Sequence, residues 1–527
     1  MRRHTPFIAV FVIVAAAWFT ILLTSQTHVD SDEAIIGLMS KHIFEGRYFP
    51  FYMYDQQYGA GAAWVAYLAA AAFAVFGVSV ISLKSCIVLL SLLCLFLFYR
   101  MCLALYGERT ALLATIVFAL SPSLLKWHFQ AKAYSWYFLS IPLLTILFVS
   151  IESASSPKRK TLFFFGLVCG LSIWCLELAM PLAVALWLLL ILRGRVSINN
   201  AAAGLLGIVV GYSPVIAFNL THHFSNWRYL IIERPRAGFS SLFQLSTYER
   251  IFVHEMPKFF GPDTVFWYYP DTPASGYVFY AIAVLAVLVA MWPFVQSPSK
   301  VIQALRGNLA DCGQKKDFDM LLLTAVSLIP YLMMPVPNLT MPTGVPRYFF
   351  GGCFFLSVLT GRMLERSFSF SKALLRLGGI AVLTAILLTG IVVIIMVGQK
   401  NEIEKLSVCD EGKSLCMTRV PAADIEGVEE YLLQHNVTSL WTTVSFVYPL
   451  LFESRETLAV DDVFGSVHRA YPQEIPWHEP SRDRDAAFVI ETDNAFRPLL
   501  ERRCAQAFGA APLVREYGKL TVIAEQR

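Results

Sequence analysis

Charge is what this chain has little of: only 15% of its 527 residues are Asp, Glu, Lys or Arg. Soluble domains carry about a quarter, so the composition excludes an ordinary soluble globular protein. Hydrophobic residues make up 56% of the chain, and the mean hydropathy is +0.57. These values are typical of a polytopic α-helical membrane protein that lies in the lipid bilayer.

Other absences narrow the function. The chain has ten cysteines, but no CxxC pair or Cys/His cluster indicates a structural zinc. It shows no internal repeat, which transporters usually carry. We expect no organic cofactor and no nucleic-acid partner. Cys409 and Cys416 flank the hexapeptide DEGKSL, and this spacing leaves a small disulfide loop open as an alternative to two free thiols.

Long apolar runs are abundant. A spanning helix needs about 20 predominantly apolar residues, and the sequence predicts eleven such stretches. They lie at approximately 7–24, 81–104, 111–127, 135–152, 161–178, 180–192, 201–218, 276–295, 319–335, 348–363 and 377–398. The first stretch favours a signal anchor over a cleavable signal peptide, because no clean small-x-small cleavage site follows it.

The stretch 61–79 is equally apolar and is either a twelfth span or an interfacial helix. Lys and Arg concentrate in cytoplasmic loops, and this rule separates the two alternatives. If 61–79 lies at the interface, the loops at 100–109, 158–160, 193–195, 300–316 and 362–376 are all cytoplasmic, and all are basic. We therefore predict an interfacial helix, a cytoplasmic N-terminus and an inner (plasma) membrane protein with a periplasmic C-terminus.

Two domains follow from the change in composition near residue 398. Residues 1–398 form the predicted transmembrane domain, with outer loops 25–80 and 219–275. Residues 399–527 are polar and predict a small soluble α/β domain on the outer side. Periodicity predicts its helices at 424–435, 445–454 and 495–507, and its strands at Ser439–Thr442, Thr457–Val460, Ala487–Ile490 and Leu520–Ala524.

Three carboxylates follow the first apolar stretch directly: Asp30, Asp32 and Glu33. Acids so close to a membrane exit are costly to retain, which indicates a functional site. A carboxylate in a partly desolvated cleft has a raised pKa and can act as a general base. The alternative is that the three acids cap a helix that starts near Ala34, because acids favour helix N-termini.

Further polar residues fall on the predicted outer face. Arg347, Lys132, Arg234 and Arg236 are candidate ligands for a phosphate group, since Arg suits bidentate contact. Snorkelling at a helix end and solvated loop surface are the alternatives. Glu177 is an isolated acid in an apolar run, where a carboxylate either functions or forms an interhelical hydrogen bond. The remaining candidates in these outer loops are Asp55, Tyr58, His128 and Tyr134.

The segment DSDEAIIGLMSKHIFEGRYFP, which starts at Asp30, resembles the first outer loop of the GT-C membrane glycosyltransferases. These include protein O-mannosyltransferases and bacterial aminoarabinose lipid A transferases. Arg347-Tyr348-Phe349, which opens the tenth predicted span, and the soluble C-terminal domain extend the resemblance. It implies a GT-C-like fold of about 11 transmembrane helices with interfacial helices.

The resemblance also implies a reaction: inverting transfer of a hexosyl or pentosyl group from a polyprenyl-phosphate donor to a lipid, glycan or protein acceptor. Asp32 matches the catalytic base, and Glu33 would orient the acceptor or assist a metal. Asp30 shares the base assignment if the backbone there is extended, because residues two apart then point the same way.

The loop KWHFQAKAYSW departs from some GT-C relatives, which carry a second Asp between the third and fourth spans. Asp32 and Glu33 suit Mg, Mn or Ca, but without that second acid the number of ligands is short. Asp55 or Glu177 would have to substitute. The alternative function is a non-enzymatic membrane scaffold or a transporter of cell-envelope lipids or glycans.

Overall fold

The computed structural model describes residues 5–54, 56, 59–233, 245–260, 274–332, 346–399, 402–409, 414–463, 486–494 and 496–525. Its first 19 helices are α1 (Thr5–Ser25), α2 (Ser31–Phe44), α3 (Ala60–Phe76), α4 (Val80–Tyr106), α5 (Glu108–Ala119), α6 (Pro122–Leu125), α7 (Ser135–Ser153), α8 (Arg159–Cys175), α9 (Met180–Leu192), α10 (Ile198–Thr221), α11 (Ser225–Arg228), α12 (Leu245–Glu249), α13 (Met256–Phe259), α14 (Ala274–Gln296), α15 (Ser299–Leu305), α16 (Cys312–Ser327), α17 (Ile329–Leu332), α18 (Phe350–Ser369) and α19 (Ala373–Gln399).

Six of the described helices are long and apolar enough to cross a bilayer: α1, α4, α7, α10, α14 and α19. A seventh candidate is α5 together with residues 122–128, a pair bent by 65° at its break. The four other predicted spans fall on α8, α9, α16 and α18, which are shorter or less apolar. The chain is therefore an integral membrane protein, and the count of eleven spans stays a prediction.

Helices α8 and α10 approach each other more closely than ordinary side chains allow. A Cβ atom on Gly170 would overlap the carbonyl oxygen of Ile208, and one on Gly207 would overlap that of Phe163. Small residues at such contacts let helix backbones pack directly in a membrane, where dispersion forces rather than hydrophobicity hold helices together. This contact fixes the end of α8, from which Glu177 emerges.

Buried ion pairs join the helix ends on the predicted cytoplasmic side. The Arg193 guanidinium, whose side chain is 1% exposed, donates to Glu152 at 2.9 Å and also to Asp319. Nearby, Asp317 accepts from the Tyr106 hydroxyl at 3.0 Å and pairs with Arg366. These bonds connect α4, α7, α9, α16 and α18 at one level of the bundle.

The predicted interfacial stretch 61–79 is helix α3. At 1.5 Å per residue its 17 residues extend about 26 Å, less than the roughly 30 Å of a hydrocarbon core. It packs against α2 on one side and α4 on the other. Helices α2 and α3 thus form one layer, which lies between the long helices and the C-terminal domain.

The C-terminal domain contains a five-stranded sheet of order β4-β3-β5-β7-β6 and a separate hairpin of β1 and β2. Strand β3 is parallel to β4 and β5, whereas β7 is antiparallel to β5 and β6. The elements are β1 (Glu402–Cys409), β2 (Ser414–Pro421), α20 (Ala422–Gln434), β3 (Ser439–Thr442), α21 (Val444–Glu453), β4 (Ala459–Asp462), β5 (Ala486–Glu491), α22 (Arg497–Phe508), β6 (Leu513–Tyr517) and β7 (Leu520–Ala524).

The α/β prediction for this domain is therefore confirmed, with three strands added. Two predicted strands have the observed bounds, while β1, β2 and β6 were not predicted. In the hairpin, Cys409 pairs with Ser414 and Cys416 pairs with Ser407. The two cysteine side chains lie outside the described part of the structure, so the disulfide and the two free thiols stay open as alternatives.

Candidate functional site

Helix α2 begins with a capping box made by two of the predicted acids. Asp30, the N-cap residue, accepts a hydrogen bond from the backbone N–H of Glu33 at 3.0 Å. The Glu33 carboxylate accepts in return from the backbone N–H of Asp30 at 3.3 Å. These bonds satisfy amide groups that the first helical turn leaves without partners. Capping therefore accounts for Asp30 and Glu33, whereas Asp32 takes no part in the box.

Glu33 is buried and turned away from solvent, with its side chain 3% exposed. Its Oε1 accepts from the backbone N–H of Ala131 at 2.8 Å, and Lys84 of α4 lies 3.4 Å from its Oε2. Burial raises the pKa of Glu33, and Lys84 only partly opposes that effect. The position corrects the predicted roles in acceptor orientation and metal binding, because both oxygens are committed to holding α2 in place.

Lys84 is a residue that the sequence reasoning missed. It is a lone cation in the apolar run VISLKSCIVLL, and an ionisable residue in such a run indicates a buried partner or a function. The same reasoning that selected Glu177 could therefore have found it.

Lys132 joins the two remaining acids. Its Nζ lies 2.6 Å from an oxygen of Asp30 and 3.0 Å from one of Asp32. Burial lowers the pKa of Lys132, but the surrounding carboxylates outweigh burial and raise it. Burial likewise raises the pKa of Asp30, and Lys132 more than reverses this. Both groups are therefore charged at neutral pH, and Asp32 is the exposed member, with 64% of its side chain accessible.

A polar cavity of about 320 Å³ opens beside Asp32. It brings together four of the residues predicted from sequence, namely Asp32, Lys132, Tyr134 and Glu177. Three aromatic residues not selected as site candidates also line it: Trp127, Tyr229 and Tyr348. Carboxylates, one ammonium group and several aromatic rings thus surround a space of the size that holds a small ligand.

The first turn of α3 brings the distant parts of this cavity together. Gly61 lies against the backbone of Ala133 and of Cys175, so that a Cβ atom would overlap the Ala133 carbonyl oxygen. Because α3 wedges between these two segments, Lys132 and Tyr134 come to face Glu177. The close approach at Gly61 therefore packs α3 directly against two of the segments that contribute residues to the cavity.

His128 does not belong to this site, which corrects the sequence prediction. Its ring is 0% exposed and stacks on Trp18 with centroids 4.3 Å apart. Phe118 and Phe138 also surround it. The residue lies two positions from Gln130 and four from Lys132 in the chain, but its ring faces the helix packing instead of the cavity.

The remaining candidates lie partly or wholly outside the described residues. Asp55, Tyr58, Arg234 and Arg236 are in this group. The backbone of Arg347 belongs to a 3-10 turn, Pro346–Phe349, but its side chain is not described. The next residue, Tyr348, lines the polar cavity, so the turn itself is at the site.

A second, apolar cavity of about 490 Å³ begins at the same turn. Phe349 lines this larger cavity, and its neighbour Tyr348 lines the polar one. The walls come from α14, α16 and α18 and are almost entirely hydrocarbon, with Thr324 among the few polar side chains. Two consecutive residues thus line a polar and an apolar cavity.

Two crystal structures of ArnT from Cupriavidus metallidurans are similar to this fold over 99% of the chain. The apo structure has a TM-score of 0.54 at 11% identity and is covered over 99% of its length. The structure bound to undecaprenyl phosphate has a TM-score of 0.55 at 13% identity and is covered over 100%. The chain has the GT-C fold.

A weaker similarity links this GT-C chain to the oligosaccharyltransferase AglB from Archaeoglobus fulgidus. Its TM-score is 0.47 at 11% identity, over 87% of this chain and 64% of that one. No protein-family model and no curated protein matches the sequence.

The described residues of this GT-C fold do not supply a metal site. No group of three or more His, Cys, Asp or Glu side chains that could hold a metal ion occurs among them. Glu33 contacts Ala131 and Lys84, and Asp32 is paired with Lys132 at 3.0 Å. Hard divalent cations require several oxygen ligands, and the described residues do not group enough of them.

Proposed function

We propose that this chain is a glycosyltransferase that moves a sugar from a polyprenyl-phosphate donor to an acceptor hydroxyl at the outer membrane face. The observation that carries the proposal is the exposed Asp32 carboxylate, held by Lys132 at the edge of a polar cavity. The GT-C fold and the adjoining apolar cavity support it.

Asp32 is the proposed general base. One oxygen of Asp30 accepts the hydrogen bond of the helix cap and also lies 2.6 Å from Nζ of Lys132. Asp32, in contrast, lines the cavity and is accessible to an acceptor. The acceptor hydroxyl gives its proton to Asp32 as its oxygen bonds to the anomeric carbon. The bond between that carbon and the phosphate oxygen breaks, and polyprenyl phosphate leaves with the electron pair. Attack opposite the leaving group inverts the anomeric centre.

Lys132 is the proposed partner of the donor phosphate. An ammonium group has three donors, of which two meet Asp30 and Asp32. The third can bind a phosphate oxygen in the cavity. Arg347, Arg234 and Arg236 stay proposals as further phosphate ligands, and the location of the Tyr348 turn at the cavity supports Arg347 most directly.

The paired cavities fit the two halves of a lipid-linked sugar. The larger cavity has the hydrocarbon lining that an isoprenoid chain requires, and the smaller one has the carboxylates and aromatic rings that hold sugars. ArnT was crystallised with undecaprenyl phosphate, which is a polyprenyl phosphate without the sugar. Glu177 and Tyr134 are proposed to hold sugar hydroxyls. The sugar, hexosyl or pentosyl, and the acceptor, lipid, glycan or protein, are left open.

The proposed orientation has the N-terminus in the cytoplasm and the C-terminal domain in the periplasm. It is supported by the basic loops at one end of the long helices. A requirement for Mg, Mn or Ca at Asp32 is tested by adding excess chelator during turnover.

The test is sugar transfer by purified protein in lipid, with a panel of labelled polyprenyl-phosphate sugars and with Asp32→Asn beside the wild type. The matched control is Glu430→Gln, which removes an exposed acid from α20. We expect loss of about 10²- to 10⁴-fold in turnover for Asp32→Asn, with donor binding retained and the control unchanged. Unchanged turnover in Asp32→Asn would contradict the assigned base, and no transfer from any donor would favour a scaffold or a transporter.

A further inference from the structure

The end of α2 is bound to a carboxylate of the C-terminal domain. Glu456, in the turn after α21, forms a salt bridge with Lys41 and lies 3.1 Å from Nε2 of His42. Lys41 is 9% and His42 0% exposed. The backbone of Glu456 is in the left-handed region, with φ +64°, a conformation that costs energy for a non-glycine residue. The buried ammonium group of Lys41 is held in place because an unpaired buried charge is strongly disfavoured.

His42 extends this contact towards the polar cavity. Its Nδ1 lies 2.6 Å from the Tyr54 hydroxyl, and Tyr54 is buried. The preceding residue, Met53, lines the polar cavity, as does Gly59 a few residues later. Side-chain contacts therefore connect Glu456 through His42 with Tyr54, and Tyr54 is joined by the backbone to Met53 at the cavity wall.

Two further contacts join α2 to the same short segment. Gly37 in the middle of α2 packs on Phe452, since a Cβ atom there would lie 2.6 Å from the ring. His28, just before the helix, lies 3.4 Å from Glu453. The entry, the middle and the end of α2 are thus each contacted by one residue of the segment 452–456.

We propose that residues 452–456, the positioning clamp, set the position of α2 and so hold Asp32 at the cavity. The proposal rests on the proposed function. Glu456 is a positioning residue and not a catalytic one, because it acts through His42, Lys41 and the helix.

The charged character of the clamp supports this role. Buried ion pairs contribute little net stability compared with apolar packing, but they favour one arrangement over others. Asp32 lies at the first turn of a helix of 14 residues, so a small rotation about the Gly37 contact displaces its carboxylate. A misplacement of about 1 Å in a catalytic group costs on the order of 10²-fold in rate.

The experiment uses the full-length protein in lipid nanodiscs. The variants are Glu456→Gln, the shorter acid Glu456→Asp, and Tyr54→Phe, which removes a single hydroxyl group. Glu430→Gln is the matched control, since it removes an exposed acid from the same domain. Two quantities are measured: hydrogen exchange of the α2 amides, and the kcat and KM of sugar transfer.

We expect Glu456→Gln to raise α2 amide exchange about tenfold and to lower kcat by about 10- to 100-fold, with the KM for donor and the pH profile unchanged. Glu456→Asp should keep a higher kcat than Glu456→Gln. Tyr54→Phe should raise α2 amide exchange and lower kcat, each by less than Glu456→Gln does. A merely stabilising contact would change the folded fraction but not kcat per folded molecule.

Unchanged α2 exchange in Glu456→Gln would overturn the proposal, and so would faster exchange with unchanged kcat. If Glu456→Gln does not fold, the same criteria apply to Tyr54→Phe. Absence of transfer by the wild type would contradict the proposed function, while the exchange measurement would still decide whether residues 452–456 hold α2.

Discussion

The two ends of the helical bundle use the same residue types in different ways. On the predicted cytoplasmic side, Arg193 is 1% and Asp319 3% exposed, and each charge is covered by its partners. On the predicted outer side, Lys132 holds Asp30 and Asp32, but Asp32 stays 64% exposed beside a cavity. We call the first network closed, because its charges are buried against their partners, and the second open, because one of its charges is accessible. A charge cluster indicates chemistry only where one of its members can still reach a ligand.

The largest effect on folding should come from opening the closed network. Arg193→Met leaves Glu152 and Asp319 buried without that guanidinium, and we expect a loss of about 3–5 kcal/mol in stability. The measurement is thermal unfolding in lipid, with kcat determined on the folded fraction. Unaltered stability, or a lower kcat per folded molecule, would contradict the assignment of this network to structure alone.

Removing the cation from the open network should affect activity instead. Lys132→Met eliminates charge-assisted hydrogen bonds worth about 1.5–3 kcal/mol, so we expect roughly 10- to 100-fold weaker binding of the donor. Isothermal titration calorimetry with a polyprenyl-phosphate sugar measures this donor affinity directly. Lys132→Arg, which keeps the charge, is the control and should bind more tightly than the Met variant; equal binding by the two would show that charge is not involved.

Asp30 and Asp32 provide a sharper comparison within one helical turn. Asp30→Asn keeps an excellent N-cap but loses its charge towards Lys132, so we expect about 1–2 kcal/mol less stability. Turnover should fall by less than about tenfold, far less than in Asp32→Asn. A collapse of kcat in Asp30→Asn with normal stability would move the base assignment to Asp30.

The smallest expected effect is a pH dependence at the contact between His28 and the C-terminal domain. Burial lowers the pKa of His28, but Glu453 and Glu426 outweigh burial and raise it. Burial and the neighbouring Glu453 and Glu426 raise the pKa of Glu429 to about 9. Groups with raised pKa values stabilise the fold below their unfolded pKa, and this contribution is lost as the pH rises through the folded pKa.

The stability that His28 contributes begins to fall above its unfolded pKa of 6.5. The stability that Glu429 contributes continues to fall until about pH 9. We expect a decline of about 1 kcal/mol from pH 6.5 to 9.5, because the acids can separate and hydrate. Unfolding by denaturant across this range measures it. Glu429→Gln should flatten the curve, and a stability that rises with pH would show that the sign is wrong.

Part of the site could be predicted from the sequence because charges next to or within apolar runs are conspicuous. Asp32 was selected as one of three acids at a membrane exit, and Glu177 as an isolated acid in an apolar run. Lys132 and Tyr134 were selected from their outer loop. His128 was wrong because it shares an outer loop with Lys126, Gln130 and Lys132, and only the tertiary structure shows that its ring stacks on Trp18. Glu33 was misjudged because its partner, Lys84, is 51 positions away in the chain.

The sequence by itself determined the membrane class, the helical bundle, the short apolar helix within 61–79 and the small α/β domain. These features depend on local hydrophobicity and periodicity, which each segment carries independently of the others. The tertiary structure decided which acid is accessible, how wide the cavity is and what holds α2. Those properties depend on contacts between distant residues, such as Gly61 with Cys175 and Lys41 with Glu456, and no local pattern encodes the geometry of such contacts.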